Sequence, residues 1–446
     1  MFARRSFIKE CVSLVDAMTR FLYNLLLTVT ALLALPITAL ALVLRPRYRL
    51  GLSQRLGYIP PEIIKRLHGQ APLWLHAPSV GETLATRPFL RRLKQTFPGR
   101  PLLLSCLTPT AYATAQEKVT EADAVIYFPL DHPLFVKKVL AQIAPSVFLF
   151  TETEMWPNFL TALARRAIPT ILVSGRFSTR AVSRYQALSP LFAPIFEKLT
   201  LCCMQTQGDA DRFIGAGANP TRVLVTGNFK VDGAVEGGEH GKTILTEAGL
   251  ADRPTLIGAS THAGEEEVLL NAYHQLQSAV PQLLLLLAPR HPQRFAEVET
   301  LLKTGGYRYR KRSQTGAAAA EVEVFLLDTL GELSSFYSAA ALVFVGGSLI
   351  KGPGGHSVIE PALAQVPVCF GPYTRNFTTV VEELVAEGGG FQVNDAECLV
   401  RTAFPLLVNL AAQKETGRKA FAVIRRGQGA VERTIAAVLA AVKSTE

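Results

Sequence analysis

Three carboxylates follow strand-like segments in the first half of the chain and could act as acids or bases. Glu82 lies in WLHAPSVGE, where a short apolar run turns into a helix-like stretch, and Glu152 and Glu154 directly follow SVFLF. A carboxylate at the end of a strand can take a proton from a hydroxyl group or balance positive charge. Helix capping or an ion pair is the alternative for all three, and SVGE fits the capping box SxxE. From the residues alone, both interpretations stay open.

Two glycine-rich turns in the second half could bind a phosphate group. One is GASTHAGEEE, with Ser260, Thr261 and His262, and the other is GGSLIKGPGGHSVIEPALA, residues 346–364. Each follows an apolar run and precedes a helix-like stretch, so backbone N–H groups and a helix N-terminus would meet there. Neither is a Walker loop or a GxGxxG fingerprint, and ordinary strand-to-helix turns are the alternative. Two such turns in one half favour nucleotide binding.

Charged side chains beside these turns also suit a nucleotide. Glu360 could accept hydrogen bonds from the ribose hydroxyl groups, or it could be a helix-start glutamate favoured by the dipole. Arg290, His291 and Arg294 in APRHPQRF suit a phosphate or a base edge, although such a loop can also be simply solvated. The other histidines show no ligand spacing, so we expect no metal site and no cofactor.

The elements that must hold these residues alternate along the chain. Short apolar runs separated by helix-like stretches are typical of parallel strands covered on both faces. They predict an α/β protein with two tandem Rossmann-like, doubly wound domains, and a cleft between the domains as the expected site. The predicted strands are LWLHAP, PLLLSCLT, AVIYFPL, SVFLFTE, TILVSG, LTLCCMQT and RVLVTGN, then TLIGAST, LLLLLAPR, YRYRKRS, EVFLLDT, ALVFVGGS and VPVCFGP.

The predicted domain boundaries follow from these runs. They are a membrane anchor with a basic neck (1–50), a first domain (51–230), a glycine-rich linker (231–252) and a second domain (253–446) that includes a closing helix from about Asn409.

The uncharged stretch from Phe21 to Leu44 is long enough to cross a bilayer core. We predict an uncleaved single-pass anchor; a signal peptide is the alternative. The basic flanks lean toward a cytoplasmic body. The net charge of +10 suits anionic membrane lipid, whereas no basic-aromatic pattern supports nucleic acid. Six scattered cysteines without a CxxC pair indicate free thiols in a reducing compartment.

Ordered motifs along most of the chain then carry a resemblance. They are YRLGLSQRLGY, WLHAPSVGE, TETEMWPN, SGRFSTR, GNFKVD, GASTHAGEEE, APRHPQRF, DTLGEL and GGSLIKGPGGHSVIEPA. Together with the apolar N-terminal stretch, they resemble the 3-deoxy-D-manno-octulosonic acid (Kdo) transferases of lipopolysaccharide assembly. The resemblance implies the two-domain GT-B glycosyltransferase fold.

The resemblance also implies a reaction and roles for particular residues. Kdo would move from CMP-Kdo to a lipid A precursor, lipid IVA, with inversion of the anomeric configuration. Glu82 would be the catalytic base, and Glu152 and Lys230 would stabilise the transition state. The residues implied to hold CMP are Arg290, His291, Gly331, Glu332, Leu333, Ser357, Val358, Ile359 and Glu360.

Two positions depart from the usual family pattern. Ser357 stands where the family usually has asparagine after GGH, so a changed contact to CMP is expected. Ser174 in SGRFSTR also replaces an asparagine, which affects the expected contacts to the acceptor. Two other functions remain: a transferase of the same fold that uses a UDP-sugar with a lipid-linked acceptor, and a catalytically inactive membrane scaffold.

Overall fold

Two compact units make up the chain. The computed structural model describes residues 2–45, 49–233, 238–251, 253–314 and 321–443, with backbone only for residues 2–16, 179 and 180. One unit is Met1–Gly233 together with Gly429–Glu446, and the other is Ala234–Gln428. Each unit contains one seven-stranded parallel sheet, which confirms the predicted pair of doubly wound domains.

The sheet of the first unit has the strand order β3-β2-β1-β4-β5-β6-β7. Strands β1, β2 and β4 to β6 are buried along their whole length, as their continuous apolar sequences predict. The strands are β1 (Leu73–His76), β2 (Leu102–Cys106), β3 (Ala124–Tyr127), β4 (Val147–Thr151), β5 (Thr170–Gly175), β6 (Leu201–Met204) and β7 (Val223–Val225).

Helices cover both faces of this sheet. On one face Trp74 meets Phe148 edge to face, with ring centroids 5.6 Å apart, and on the other Phe89 stacks on Phe229. The helices are α1 (Phe2–Leu44), α2 (Leu52–Arg55), α3 (Pro61–Leu67), α4 (Val80–Ala85), α5 (Arg87–Thr96), α6 (Pro109–Lys118), α7 (Pro133–Ile143), α8 (Pro157–Ala164), α9 (Thr179–Ala187), α10 (Ser189–Phe196), α11 (Gln207–Gly215) and α12 (Phe229–Asp232).

The second unit repeats the architecture with the strand order β10-β11-β9-β8-β12-β13-β14. Its strands are β8 (Thr255–Thr261), β9 (Leu284–Pro289), β10 (Tyr309–Lys311), β11 (Val324–Leu326), β12 (Leu342–Val345), β13 (Val368–Phe370) and β14 (Gly390–Gln392). Its helices are α13 (His240–Glu247), α14 (Glu265–Gln277), α15 (Phe295–Thr304), α16 (Leu333–Phe336), α17 (Ile359–Leu363), α18 (Thr378–Ala386), α19 (Ala396–Val408) and α20 (Leu410–Gly427). The short strand β14 is the one that the sequence pattern did not predict.

The strand orders decide which loops are neighbours. In the first sheet β1 pairs with both β2 and β4, so the chain leaves β1 and β4 side by side. In the second sheet β8 pairs with both β9 and β12. Such switch points leave room for a ligand beyond the carboxyl ends of the strands. In each sheet, the loops that carry the predicted site residues therefore lie together at the carboxyl ends of the strands.

The predicted closing helix is two helices that belong to different units. After α20, the chain breaks at Gln428 and Gly429 and forms α21 (Ala430–Lys443), which packs on the first unit. The Asp232 carboxylate accepts hydrogen bonds from the backbone N–H groups of Gly429 (2.7 Å) and Val431 (2.6 Å). The prediction that residues 253–446 form one domain is therefore wrong at its C-terminal end. From the sequence alone, the apolar face of α21 does not indicate which of the two sheets the helix covers.

Helix α1 carries the predicted anchor. Its segment Ala17–Leu44 is long and apolar enough to cross a membrane. No part of its most apolar stretch is buried against the described protein.

Candidate functional site

Glu82 lies in the first turn of α4, just beyond the end of β1. Ser79 precedes the helix but makes no side-chain capping hydrogen bond. The capping box that SVGE could form is therefore absent, which argues against the helix-capping alternative left open by the sequence. One carboxylate oxygen of Glu82, Oε2, is buried and has no hydrogen-bond partner among the described residues. A buried acceptor without a donor is unusual and fits a ligand hydroxyl.

Glu152 follows β4, and its surroundings bring together the residues predicted to be catalytic. Burial raises the pKa of the Glu152 carboxyl group, nearby Lys230 lowers it and nearby Glu82 raises it again. The three side chains are thus close enough to influence one another. Glu152 also has a φ of +58°, a left-handed conformation that costs a non-glycine residue energy and is often found at functional sites.

Glu154 completes this group, which we call the acidic cluster (Glu82, Glu152, Glu154 and Lys230). Burial, together with the charges of Glu152 and Glu82, raises the pKa of Glu154 to about 7. Both carboxylates of TETE thus lie in this cluster, as their shared strand parity allowed.

Lys230 is positioned by a small hydrogen-bonded frame. The Asn228 side chain accepts a hydrogen bond from the Lys230 N–H at 2.9 Å and donates to Gln205 at 3.0 Å. Gln205 in turn donates to the carbonyl of Ser174 at 3.0 Å. Ser174 has a φ of +49°, a conformation that asparagine adopts more readily than serine. The asparagine usual in the family would suit this backbone, and serine keeps the conformation.

In the second unit, the glycine-rich turn after β12 is held by Glu265. This side chain is fully buried, and its carboxylate accepts hydrogen bonds from the N–H groups of Gly347 (2.7 Å), Ser348 (3.0 Å) and Leu349 (2.9 Å). It also accepts one from the His262 N–H at 2.9 Å. Glu265 therefore ties the two glycine-rich turns together. Sequence reasoning missed this role, although its signal is present as the first glutamate of GEEE.

A cationic and aromatic group lies beside these turns. His262 and His356 stack with ring centroids 5.1 Å apart, and their Nε2 atoms are 2.8 Å apart. Burial, together with the nearby His262, Arg290 and His291, lowers the pKa of His356 to about 4. His356 is therefore neutral near pH 7. The predicted pair Arg290 and His291 thus lies close to the His262 and His356 rings, where an anion would be favoured.

Arg294, in contrast, is already committed to the protein. Its guanidinium contacts Glu266 at 2.5 Å and Glu297 at 3.0 Å, and Glu266 is fully buried. The sequence left Arg294 open as a phosphate ligand, and these ion pairs give it a structural role.

The predicted CMP contacts fall in two further loops of this unit. Ser357 donates a hydrogen bond to Glu360, and its hydroxyl oxygen accepts one from the Ile359 N–H at 3.3 Å; Val358 precedes α17. Gly331 has a φ of +84°, which favours glycine, and Leu333 begins α16. Although burial raises the pKa of Glu332, hydrogen bonds from Thr329 and Arg312 bring it below its usual value.

Among the described residues, no group of three or more His, Cys, Asp or Glu side chains is arranged to hold a metal ion. The absence of a metal from the reaction stays a prediction.

Comparisons with known proteins agree on one family. A family model described as 3-deoxy-D-manno-octulosonic-acid transferase matches residues 50–233. The 3-deoxy-D-manno-octulosonic acid transferase of Haemophilus influenzae is 33% identical over 94% of this chain and 97% of its own length. The enzyme of the same name from Bordetella pertussis is 34% identical over 82% of this chain and 87% of its own length.

Among solved structures, the UDP-GlcNAc 2-epimerase of Neisseria meningitidis bound to UDP-GlcNAc has a similar fold. It covers 82% of this chain and 99% of its own, with a TM-score of 0.55 and 12% identity. At this identity the likeness concerns the fold alone.

Proposed function

The chain belongs to the family of 3-deoxy-D-manno-octulosonic acid (Kdo) transferases, and we propose that it moves Kdo from CMP-Kdo to a lipid A precursor, lipid IVA. It is a glycosyltransferase of the GT-B fold that acts with a nucleotide-sugar donor in lipopolysaccharide biosynthesis. The proposal adds the identity of the donor and of the acceptor, and the roles of the site residues.

The observation that carries the proposed mechanism is the unsatisfied oxygen of Glu82. In a single inverting displacement, a base must take the proton of the acceptor hydroxyl as that oxygen attacks the anomeric carbon. Glu82 Oε2 is buried and accepts no hydrogen bond from the described protein, so it is available to a hydroxyl group. We therefore assign the base to Glu82.

Glu152 and Lys230 are proposed to stabilise the transition state. As the bond to the leaving CMP breaks, positive charge develops on the sugar, and the Glu152 carboxylate can balance it. The Lys230 ammonium group favours the ionised form of Glu152 and can also pair with the sugar carboxylate or the departing phosphate. The left-handed backbone at Glu152 supports a role that requires a fixed position.

The second unit is proposed to hold CMP. Arg290 and His291 suit the phosphate, because both lie near His356 and both can donate hydrogen bonds to an anion. Glu360 suits the ribose hydroxyl groups, and Ser357 orients it by a hydrogen bond. The remaining proposed contacts come from the loops before α16 and α17: Gly331, Glu332, Leu333, Val358 and Ile359.

We also propose that α1 attaches the enzyme to the inner membrane, with the catalytic body on the cytoplasmic side. The apolar segment Ala17–Leu44 supports attachment, since its most apolar stretch is not buried against protein. The five cysteines whose side chains the structure describes are free, and four are buried, as in a reducing compartment.

The decisive experiment changes the proposed base. In Glu82→Ala, transfer of labelled Kdo from CMP-Kdo to lipid IVA should be abolished, whereas calorimetric titration should give nearly unchanged affinity for CMP. The exposed Glu117, replaced by alanine, is the matched control and should keep full activity. Near-normal turnover in Glu82→Ala would overturn the assignment.

The same assay distinguishes the two other functions. A transferase that prefers a UDP-sugar would be inhibited by UDP more strongly than by CMP, and an inactive scaffold would transfer nothing. The proposal expects CMP to be the stronger competitor.

A further inference from the structure

The first half of the apolar segment of α1 is held to the first unit by polar contacts. Tyr23 donates a hydrogen bond to Asp131 at 3.1 Å, and Asn24 accepts one from Asn158 at 2.7 Å. One turn further along, the Thr28 hydroxyl lies 3.5 Å from Nε2 of His132. Asn24 and Thr28, four residues apart, share one face of the helix, and Tyr23 lies beside this face, so this side of α1 docks on the body.

Asp131 is well built for this contact. It is buried, and its carboxylate also accepts hydrogen bonds from the backbone N–H groups of Asn158 (3.0 Å) and Phe159 (2.8 Å) in the first turn of α8. The partner that receives Tyr23 is therefore fixed by the fold rather than carried on a mobile surface side chain.

The chain that follows α1 returns to the same place. The Leu130 N–H donates to the Arg55 carbonyl at 2.9 Å, and the Tyr127 N–H donates to the Gln54 side chain at 2.7 Å. Leu130 and Asp131 are consecutive residues. Leu130 therefore binds the chain that follows α1, and Asp131 binds α1 itself.

A helix that crosses the bilayer cannot satisfy both sets of contacts. Residues 29–44 span about 24 Å at about 1.5 Å per residue, short of the ~30 Å hydrocarbon core. The chain from Arg45 to Arg55 carries four arginines and is too polar to cross back. Near the end of the helix, the Arg49 side chain donates to the Leu42 carbonyl at 2.7 Å, so Arg49 lies beside the last turns of α1. Both ends of the segment 29–54 are therefore on the same side.

The exposed surface of this segment still requires an apolar partner. Leu33 and Ile37 are 75% and 73% exposed, and their neighbours along the helix are also exposed. A cavity of about 510 Å³ lies beside the start of the apolar segment of α1. Its charged lining residues are all cationic: Arg20, Lys137, Arg165 and Arg166. Apolar and cationic surface side by side matches the acyl and phosphate layers at the edge of an anionic bilayer.

We infer that α1 is a monotopic anchor, which lies in the interfacial layer of the bilayer on the side of the catalytic body and does not cross it. This differs from the single crossing that the hydropathy predicts, and it rests on the membrane attachment proposed above. The N-terminus is then on the same side as the body. A crossing helix would place it on the opposite side.

Cysteine labelling tests this placement in the full chain. With Cys11 and Cys398 replaced by serine, a single new cysteine is introduced by Ser6→Cys near the N-terminus or by Lys414→Cys on the exposed body. A membrane-impermeant maleimide should label both variants in inverted membrane vesicles and neither in intact spheroplasts. Labelling of Ser6→Cys in spheroplasts alone, with Lys414→Cys labelled in inverted vesicles, would overturn the inference.

Recovery of the protein in the soluble fraction would instead refute the membrane attachment, and with it the anchor. Kdo transfer is measured on the same samples, so loss of the proposed activity is recognised separately.

A cross-link tests the docking of the helix directly. In the same background, Thr28→Cys with His132→Cys should form a cross-link with a short bifunctional maleimide in membranes. Thr38→Cys with His132→Cys is the control and should not, since residue 38 is about 15 Å further along the helix. Failure of the first pair in membranes that still transfer Kdo would contradict the inference.

Discussion

Glu152 and Glu154 lie two positions apart, yet their electrostatic surroundings differ. Lys230 and Arg176 both favour the ionised form of Glu152. Glu154 is influenced by burial and by the two neighbouring carboxylates, which together raise its pKa to about 7. Near neutral pH, Glu154 can hold a proton and thereby limit the negative charge of the acidic cluster.

This difference predicts a pH-dependent stability. Because the folded chain binds the Glu154 proton more tightly than the unfolded chain, the contribution of Glu154 to the free energy of unfolding falls as pH rises from about 4.5 to about 7. Glu154→Gln removes this loss. Its Tm relative to the parent should therefore be higher at pH 8 than at pH 5, by an amount equivalent to a few kcal/mol at most.

Thermal unfolding at several pH values measures this shift. The exposed Glu117→Gln serves as the control and should show no trend with pH. A constant Tm difference for Glu154→Gln across this range would contradict the raised pKa.

Glu360 carries a second prediction for a single residue. Its carboxylate accepts a hydrogen bond from Ser357 and is proposed to accept the ribose hydroxyl groups of CMP. Glu360→Ala should weaken CMP affinity by about 1–3 kcal/mol, the scale of lost hydrogen bonds to a charged group. Calorimetric titration checks this against Glu382→Ala, an exposed glutamate on α18 of the same unit. Equal affinities in the two variants would remove Glu360 from the proposed site.

At this scale the sequence predicted the presence of the site residues better than their contacts. Glu82, Glu152 and Lys230 do come together, because the strands and turns that hold them follow local patterns. Two details required coordinates. Ser79 does not cap α4 despite the SVGE pattern, and Arg294 is paired with buried Glu266 rather than exposed to a ligand. The missing cap depends on the local geometry at Ser79, and the ion pair joins Arg294 to a residue that is distant in sequence. A motif specifies neither.

At the scale of elements, one buried carboxylate holds the turns of the second unit. Glu265 begins α14 and accepts four backbone N–H groups from the turns after β8 and β12. A glutamine in its place keeps one acceptor oxygen but brings an N–H₂ group against N–H donors. Glu265→Gln should therefore loosen the turn at Gly346 to Leu349 and weaken CMP binding at least about tenfold, because several charge-assisted bonds are lost.

A neighbouring glutamate offers a matched control for this prediction. Glu267 lies in the same helical turn but is exposed, so Glu267→Gln should leave both CMP affinity and Tm unchanged. Glu265→Gln should lower the Tm together with the affinity. Wild-type affinity in Glu265→Gln would show that the turn does not depend on this carboxylate.

The strands and helices were largely predictable, because continuous apolar runs between glycine-rich turns leave few alternatives to a parallel sheet. The exceptions have physical causes. Strand β14 has three residues and begins with Gly390, so it lacks an apolar signal. Helix α21 looks like a continuation of α20, but its packing on the core of the first unit and the hydrogen bonds from Gly429 and Val431 to Asp232 assign it to that unit.

At the scale of the whole molecule, charge and hydropathy act together. The chain has a net charge of +10, and its apolar helix starts beside the cavity lined by Arg20, Lys137, Arg165 and Arg166. Hydropathy alone predicted an anchor but not its course, since a spanning helix and an interfacial one can share a composition. The course of the helix follows instead from two contacts, of Tyr23 with Asp131 and of Arg55 with Leu130, because these two partners are consecutive residues.

The cationic cavity makes a last prediction, about binding to anionic lipid. Arg165 and Arg166 are exposed at the end of α8, and each basic residue near an anionic surface contributes about 1 kcal/mol to binding. Reversing both charges in Arg165→Glu/Arg166→Glu should weaken flotation of the protein with phosphatidylglycerol-containing vesicles at least about tenfold. Lys118→Glu/Lys414→Glu makes the same change in net charge at exposed positions outside the cavity and should have a smaller effect. The difference between the two double variants should vanish at high salt, because salt screens surface charges. It should also vanish with pure phosphatidylcholine, because these vesicles carry no net charge. Equal losses in the two double variants would mean that net charge, and not this cavity, governs binding.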